Sequence, residues 1–356
     1  MRVKDISPRL SVVMSVYNNC QELPRALDSI LGQTFNDFEL VAVNDGSTDG
    51  SGQLLERYVR ADGRIKVLHQ DNKGLTASLN TACAAACGKY LIRHDADDLS
   101  APERFAAQID YMDSRPEVVL AGTWICMTHP ASGPQFLWKM PDDSNTLKAW
   151  LNRGFNPFIH GSTIFRRQIF EKLAPGYRFG NSCQDIDLWM RMSGLGEFGV
   201  VPIVGYFYTS SLGSIGYATY HARKEINKLL LRLHRERLQH GTELTLDPEE
   251  IDKGILKRFE SISSPAPIAD YADGITALRR RDYETYRSCM QRAASTRGPL
   301  SRKAKLHKLM RFCPQLAGAV YWLLDWNSPR RYYCPCPPGY QLPGFPSLIH
   351  DQRREI

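Results

Sequence analysis

The sequence has no apolar run approaching the roughly 18 residues that a membrane span requires. The nearest candidate, Leu316 to Leu324, is far too short. No apolar signal core follows Met1-Arg-Val-Lys-Asp5. Nine cysteines make no framework. Cys20, Cys83, Cys87, Cys126 and Cys183 sit in apolar or helical contexts, and Cys334-Pro-Cys336 lacks the two-residue spacer of redox or zinc pairs. A disulfide-stapled scaffold, a zinc ribbon and a membrane-spanning chain are therefore excluded as readings, and reduced thiols in a cytoplasmic protein are expected. No internal repeat is apparent, which sets solenoids aside. Gly194-Leu-Gly196-Glu-Phe-Gly199 has glycine-fingerprint spacing but follows a helical pattern and precedes a strand-like one. That is the reverse of the dinucleotide-binding order, so it reads as a helix C-terminal turn.

At 356 residues the chain has room for two or three domains and an ample core. Charge is uneven. Residues 221–356 hold 24 Lys and Arg against 15 Asp and Glu, a balance of +9, which leaves −2 for residues 1–220. Such an excess suits an anionic surface, a membrane leaflet or an acidic polymer, and equally suits a solvated helical exterior. A nucleic-acid partner is not expected.

Leu10 to Val16 is a short β-branched run and predicts a buried strand. A helical pattern follows with Leu23, Ala26, Leu27, Ile30 and Leu31, then a strand from Phe38 to Val43, a helix around Gln53–Tyr58, a strand from Ile65 to His69 and a helix ending at Gly88. Tyr90 to Asp98 reads as a fourth strand that ends abruptly in three carboxylates. This alternation implies an α/β fold with a doubly wound, mostly parallel sheet. From about Ala218 the pattern becomes mainly helical, and from Arg330 it becomes proline-rich and irregular. The expected division is 1–217, 218–329 and 330–356.

The fourth strand ends in Asp95-Ala-Asp97-Asp98. Carboxylates this close repel one another unless positive charge lies between them, and hard oxygen ligands select Mg²⁺ or Mn²⁺. A solvated acidic turn that caps a helix at Ser100-Ala-Pro-Glu103 is the plain alternative. Tyr17, Asn18 and Asp45 also follow apolar strands, so a parallel sheet would bring their ends to one edge, where open α/β folds bind ligands. There Tyr17 could stack a base, Asp45 could accept an imide N–H, and Lys73 or Arg93 could offset phosphate charge. Taken singly, Asp45-Gly46-Ser47 is a tight turn. Farther on, Asp185 opens a helix, as an ordinary first-turn acid or as a general base. His160 lies in a strand-like stretch, His160 to Arg167, where a structural histidine is the commoner outcome. The segment from His129 to Pro157 reads as loop-rich, with a helix cap at Asp142-Asp143-Ser144.

These stretches in order — SVVMSVYNN, VNDGSTDGS, NKGLTASLN, GKYLIRHDADDLSAPERF, HGSTIFRR and CQDIDLWMR — resemble a family 2 glycosyltransferase of the GT-A fold over residues 10 to about 210. Any one is weak, whereas the ordered set is specific. The resemblance implies nucleotide binding by Tyr17, Asn18 and Asp45, and Mn²⁺ or Mg²⁺ held on the donor diphosphate by Asp95 and Asp97, with Asp98 beside them and Asp185 as base. Lys73 and Arg93 stay candidates for the phosphates, and His160 and Trp189 candidates for the acceptor side. Two departures stand out. Gln184 replaces the family's usual glutamate, and Tyr206-Phe-Tyr208-Thr-Ser-Ser211 carries neither the Arg nor the His found in many relatives.

The implied activity is inverting, metal-dependent transfer of a sugar from a UDP-sugar, or a dTDP-sugar, to a glycan or lipid-linked acceptor in polysaccharide synthesis. The expected place is the cytoplasm, peripheral on the inner membrane, with residues 218–329 as a basic accessory region. A sugar nucleotidyltransferase and a catalytically silent GT-A binding module are the rival readings.

Overall fold

The computed structural model describes residues 7–129, 133–179, 183–209, 220–241, 288 and 333–336. The first half of the chain alternates as its pattern predicts: β1 (Leu10–Val16), α1 (Leu23–Leu31), β2 (Phe38–Asp45), α2 (Ser51–Ala61), β3 (Ile65–Gln70), α3 (Leu75–Ala85) and β4 (Tyr90–Arg93). Then come β5 (Leu99–Ser100), α4 (Arg104–Asp113), β6 (Val118–His129), β7 (Gly133–Trp138), α5 (Ser144–Leu151) and a 3₁₀ turn at His160–Ser162. β8 (Ile164–Arg166), α6 (Arg167–Glu171), α7 (Gln184–Met192), β9 (Glu197–Thr209), α8 (Tyr220–His240) and β10 (Tyr333–Pro335) complete the described elements.

The sheet runs β10-β7-β6-β8-β4-β1-β2-β3, with β9 paired to β5 and β6. Strands β4, β1, β2 and β3 are parallel, each reached by a helical crossover. β8 is antiparallel to β4, and the β6/β7 and β7/β10 pairs are antiparallel as well. The expected parallel arrangement holds for the first half and for the β6/β9 pair, while β7, β8 and β10 run antiparallel to their neighbours.

Side chains of β1 alternate between two cores, as the two-residue period of a strand requires. Val12, Met14 and Val16 pack with Leu23, Leu27 and Ile30 of α1, Leu55 of α2 and Phe105 of α4. Val13 faces the other way, toward Leu79 of α3, Leu188 and Trp189 of α7, and Ile226, Leu230 and Leu233 of α8. Each fully buried aliphatic side chain contributes about 1.5–3 kcal/mol. Helix α8 therefore shares the core of the preceding domain, although the composition changes character before it. The rest of 218–329 lies outside the described residues, apart from Ser288.

Three local expectations are corrected. The 129–157 stretch, expected to be loop-rich, holds β7 as well, while the expected cap opens α5 with Asp143 accepting the Thr146 N–H at 3.0 Å; Gly133-Pro134 disguised the strand, since proline reads as a break yet is tolerated near a strand start. Ser100 does not cap a helix. It is fully buried in β5, and α4 begins at Arg104. Within the proline-rich tail, Tyr333–Pro335 pairs with Phe136–Trp138 of β7 rather than running irregularly. This brings the Cys336 thiol 3.8 Å from that of Cys126.

Candidate active site

The carboxyl ends of β1 and β2 are joined by their loops. The Asn18 N–H donates to Ser47 Oγ (3.1 Å), and Asn18 Oδ1 accepts the Thr48 N–H (2.8 Å). The Asn19 and Cys20 N–H groups donate to Ser51 Oγ and Asp49 Oδ2, both at 2.9 Å. Asn18 adopts φ 48°, a left-handed conformation that asparagine tolerates. The Tyr17 ring stands clear of this brace, 52% exposed.

Asp45, at the end of β2, is buried. Its Oδ1 accepts Gln70 Nε2 (2.7 Å) and the Lys73 N–H (2.9 Å), and its Oδ2 accepts the Gly74 N–H (2.9 Å). A carboxylate has about four acceptor sites, so most of its capacity holds the loop that leads into α3. The Lys73 side chain is exposed. Gly46 makes the turn possible, with φ +73° and room for a Cβ only 2.8 Å from the Asn72 nitrogen.

At the acidic tip after β4, Arg93 is buried and ion-paired with Asp95. Its Nε finds no partner among the described residues. Burial raises the Asp97 carboxyl above its ordinary value, opposed by the charge of Arg93. Asp98 is buried and accepts the Tyr206 hydroxyl (2.7 Å) and the Thr209 N–H (2.6 Å). Burial and the neighbouring Asp97 push Asp98 up to about 8. The Tyr206 oxygen also accepts the Asp95 N–H at 3.2 Å.

His94 underlies the tip. Its Nδ1 meets the Asp95 carbonyl (2.6 Å) and its Nε2 meets Ser100 Oγ (3.0 Å), while Arg104 donates to that same Oγ at 2.9 Å. This assigns the proton to Nδ1 and makes Ser100 the donor to Nε2. Burial, then the charges of Arg104 and Arg93, hold His94 well below its ordinary value. Arg104 also donates to the Gly161 carbonyl at 2.6 Å. A Cβ on Gly161 would fall 1.9 Å from the Tyr206 hydroxyl oxygen, so only glycine fits there.

Asp185 lies in the first turn of α7, half-buried. Its Oδ1 accepts the Ile186 N–H (2.8 Å) and its Oδ2 accepts Asn156 Nδ2 (2.6 Å). Helix α3 connects this end to the loops that follow β2 and β3. Its N-terminus is held by Asp45 through Gly74, and its Thr76 donates to the Phe179 carbonyl at 2.5 Å. Asn80, one turn on, clamps both backbone groups of Tyr177 at 2.9 Å. The buried Tyr177 hydroxyl, raised chiefly by burial, lies within reach of the charges of both Arg93 and Asp185. Asp187 is a different kind of acid: buried, and held by Arg178 and Arg191.

Two expected acceptor-side residues are corrected. Trp189 is fully buried, edge-on to Phe158, His160 and Phe165, because it continues the apolar face of α7 into the core. His160 is buried beneath Tyr177, 2.9 Å from its hydroxyl, and burial holds it well below its ordinary value. Tyr206, Arg104 and Asn156 escaped sequence reading. Tyr206 and Arg104 look like ordinary strand and helix positions, and Asn156 sits in a loop whose partner is 29 residues away.

Among the described residues, no three His, Cys, Asp or Glu side chains converge as a ready-made metal cage. No described helix is long and apolar enough to cross a membrane.

A parallel half with loops and carboxylates gathered at its strand ends, followed by a mixed half that carries a helix-borne acid, defines a GT-A type glycosyltransferase fold. Residues 11–174 match the family described as Glycosyl transferase family 2. The amylovoran biosynthesis glycosyltransferase AmsE of Erwinia amylovora is 33% identical over 190 residues, 52% of this chain and 70% of AmsE. EpsE of Bacillus subtilis is 32% identical over 191 residues, 52% of this chain and 66% of EpsE. The chain belongs to glycosyl transferase family 2, and its match spans about two thirds of the length of these relatives. The crystal structure of S. aureus TarS residues 1–349 in complex with UDP-GlcNAc has the same fold: TM-score 0.55, 18% identity, 85% of this chain and 89% of that one.

Proposed function

We propose that the protein is an inverting glycosyltransferase that moves a sugar from a nucleotide diphosphosugar to an acceptor hydroxyl in polysaccharide synthesis. The observation that carries this is the link through α3. It ties Asp45 to the segment entering α7, so nucleotide-side loops and the helix-borne Asp185 are built as one unit.

Tyr17 offers its exposed ring to the base, and Asp45 has acceptor capacity left for an imide N–H. That capacity suits uracil and thymine alike; UDP-GlcNAc in TarS supports a UDP-sugar donor. Arg93 Nε is a buried donor without a partner among the described residues, and a phosphate oxygen would satisfy it. Lys73 adds charge from the rim. The Asp97 carboxyl is desolvated, and no other side chain hydrogen-bonds to it among the described residues, so it fits a hard cation. Asp97 with Asp95 would hold Mn²⁺ or Mg²⁺, which supplies Lewis-acid relief of charge on the leaving diphosphate.

Asp185 accepts the proton of the acceptor hydroxyl as that oxygen bonds to the anomeric carbon and the bond to the diphosphate breaks. Attack from the face opposite the leaving group inverts that carbon. The acceptor is a glycan, free or lipid-linked, at the cytoplasmic membrane face, with the +9 balance of residues 221–356 favouring an anionic leaflet. The division into 1–217, 218–329 and 330–356 is retained as a proposal, with α8 docked on the first unit.

The test is a thermal-shift panel of nucleotide sugars with Mn²⁺, followed by turnover of the best donor in Asp185→Asn. A donor that binds the native state raises the melting temperature by mass action. Turnover should collapse in Asp185→Asn with donor binding kept; an unchanged rate would remove Asp185 from the chemistry.

A further inference from the structure

The loop from Asn152 to Asn156 lies between α5 and the 3₁₀ turn, and at its end Asn156 precedes Pro157. Asn156 is half-buried, and its carboxamide is used at both ends. Its Oδ1 accepts the Phe158 N–H at 3.1 Å. That contact fixes which way the amide faces, so Nδ2 is the atom left for Asp185, and it reaches Asp185 Oδ2 at 2.6 Å. The Ile186 N–H takes the other oxygen. The carboxylate therefore cannot rotate about its last bond without breaking one of two hydrogen bonds, yet each oxygen keeps a free acceptor site.

The loop itself is anchored from outside the sheet. The Asn152 Oδ1 meets His234 Nε2 of α8 at 2.8 Å, and the Gly154 carbonyl accepts Asn227 Nδ2 of α8 at 2.7 Å. Gly154 takes φ +81°, and a Cβ there would lie 2.9 Å from Leu231 of the same helix. α8 is held against the core by Ile226, Leu230 and Leu233. The order of dependence runs from α8 to the loop, from the loop to Asn156, and from Asn156 to Asp185.

We infer that Asn156 is the positioning residue for Asp185, and that α8 acts on the reaction by holding the Asn156 loop in place. The inference rests on Asp185 being the base. It gives the first helix of the basic region a role in turnover that is separate from any surface contact. Asn156 donates to the carboxylate without carrying charge, so it orients the base while leaving it able to accept a proton. An aspartate in its place would set a second negative charge against the first and make the base harder to ionise.

The experiment uses the full chain with Mn²⁺ and UDP-glucose or UDP-N-acetylglucosamine, whichever gives the larger thermal shift, and reads UDP release. Melting curves accompany each variant. Asn156→Ala should lower kcat by about 100-fold through misplacement of the base, with the donor KM unchanged. Asn156→Asp should move the acidic limb of the pH–rate profile up by about one pH unit. Asn227→Ala should reproduce the Asn156→Ala pattern more weakly, and Asn156→Ala placed on Asp185→Asn should add no further loss. If Asp185→Asn collapses turnover while both Asn156 variants leave kcat and the pH profile unmoved, the inference is wrong and the base assignment stands. If Asp185→Asn turns over normally, both fall. A loss of kcat that simply follows a drop in melting temperature, with no pH shift in Asn156→Asp, also overturns the positioning role.

Discussion

The Tyr206 hydroxyl donates to Asp98 Oδ2 at 2.7 Å and joins the end of β9 to the acidic tip behind β4. Asp98 is buried and pushed up to about 8, and this bond and the one from the Thr209 N–H offset only part of that rise. Asp98 is thereby engaged by the protein itself, as Asp95 is by Arg93. Tyr206→Phe should cost about 1–3 kcal/mol by leaving a buried acceptor short of its donor. Urea unfolding of the two proteins measures this directly, and equal stability would mean that water replaces the hydroxyl without loss.

Asp97→Asn should weaken Mn²⁺ activation far more than nucleotide binding. The variant keeps the shape and removes the charge that a hard cation needs. Titrating turnover against Mn²⁺ should give an apparent constant raised more than about tenfold, or about 1.4 kcal/mol. Metal dependence that is unaltered would move the cation elsewhere.

Asp45→Asn should act on both stability and donor affinity. An amide cannot accept from Gln70, Lys73 and Gly74 together, so at least one part-buried hydrogen bond is lost at a cost of about 1 kcal/mol. Chemical denaturation and donor KM should worsen together. A change in KM alone would show that the Gln70–Gly74 loop holds its shape without this carboxylate.

Acid should destabilise the fold through His94 and His160. Both are buried, and both are held well below the ordinary imidazole value. Above about pH 6.5 neither state takes a proton, so stability is independent of them. As pH falls below that value the unfolded chain binds protons that the folded one refuses, and stability drops by about 1.4 kcal/mol per pH unit for each histidine. His160→Gln should reduce the slope between pH 6.5 and 5 in a melting series. A slope equal to the parent's would mean that His160 protonates in the fold.

Ile226→Ala should destabilise the described domain by about 2–5 kcal/mol, because Ile226 is wholly buried in the core shared with α7. A loss below 1 kcal/mol, read from denaturant midpoints, would mean that α8 docks loosely.

Much of the first half was readable in advance for one reason. β1, β2 and β4 are continuous apolar runs that stop at a polar cluster, and a strand covered on both faces has to read that way. Asp45, Asp95 and Asp97 were found as those clusters. The second half was poorly legible because its strands owe their places to pairing across long sequence gaps. β7 carries a proline, and β8 has three residues. Trp189 and His160 looked like acceptor contacts because their chemistry suits sugars. Which way a helix or turn faces is a matter of packing, and packing put both inside.

The sequence alone determined the α/β class, the family, and the identity of the acids at the strand ends. Each of these is written in local periodicity or in a contiguous motif. Only the tertiary structure decided which acids are spent on the fold and which remain available: Asp98 on Tyr206 and Thr209, Asp187 on Arg178 and Arg191, most of Asp45 on its own loop. The partners lie from 4 to 111 residues away, and a carboxylate's role is set by the donors that reach it in space.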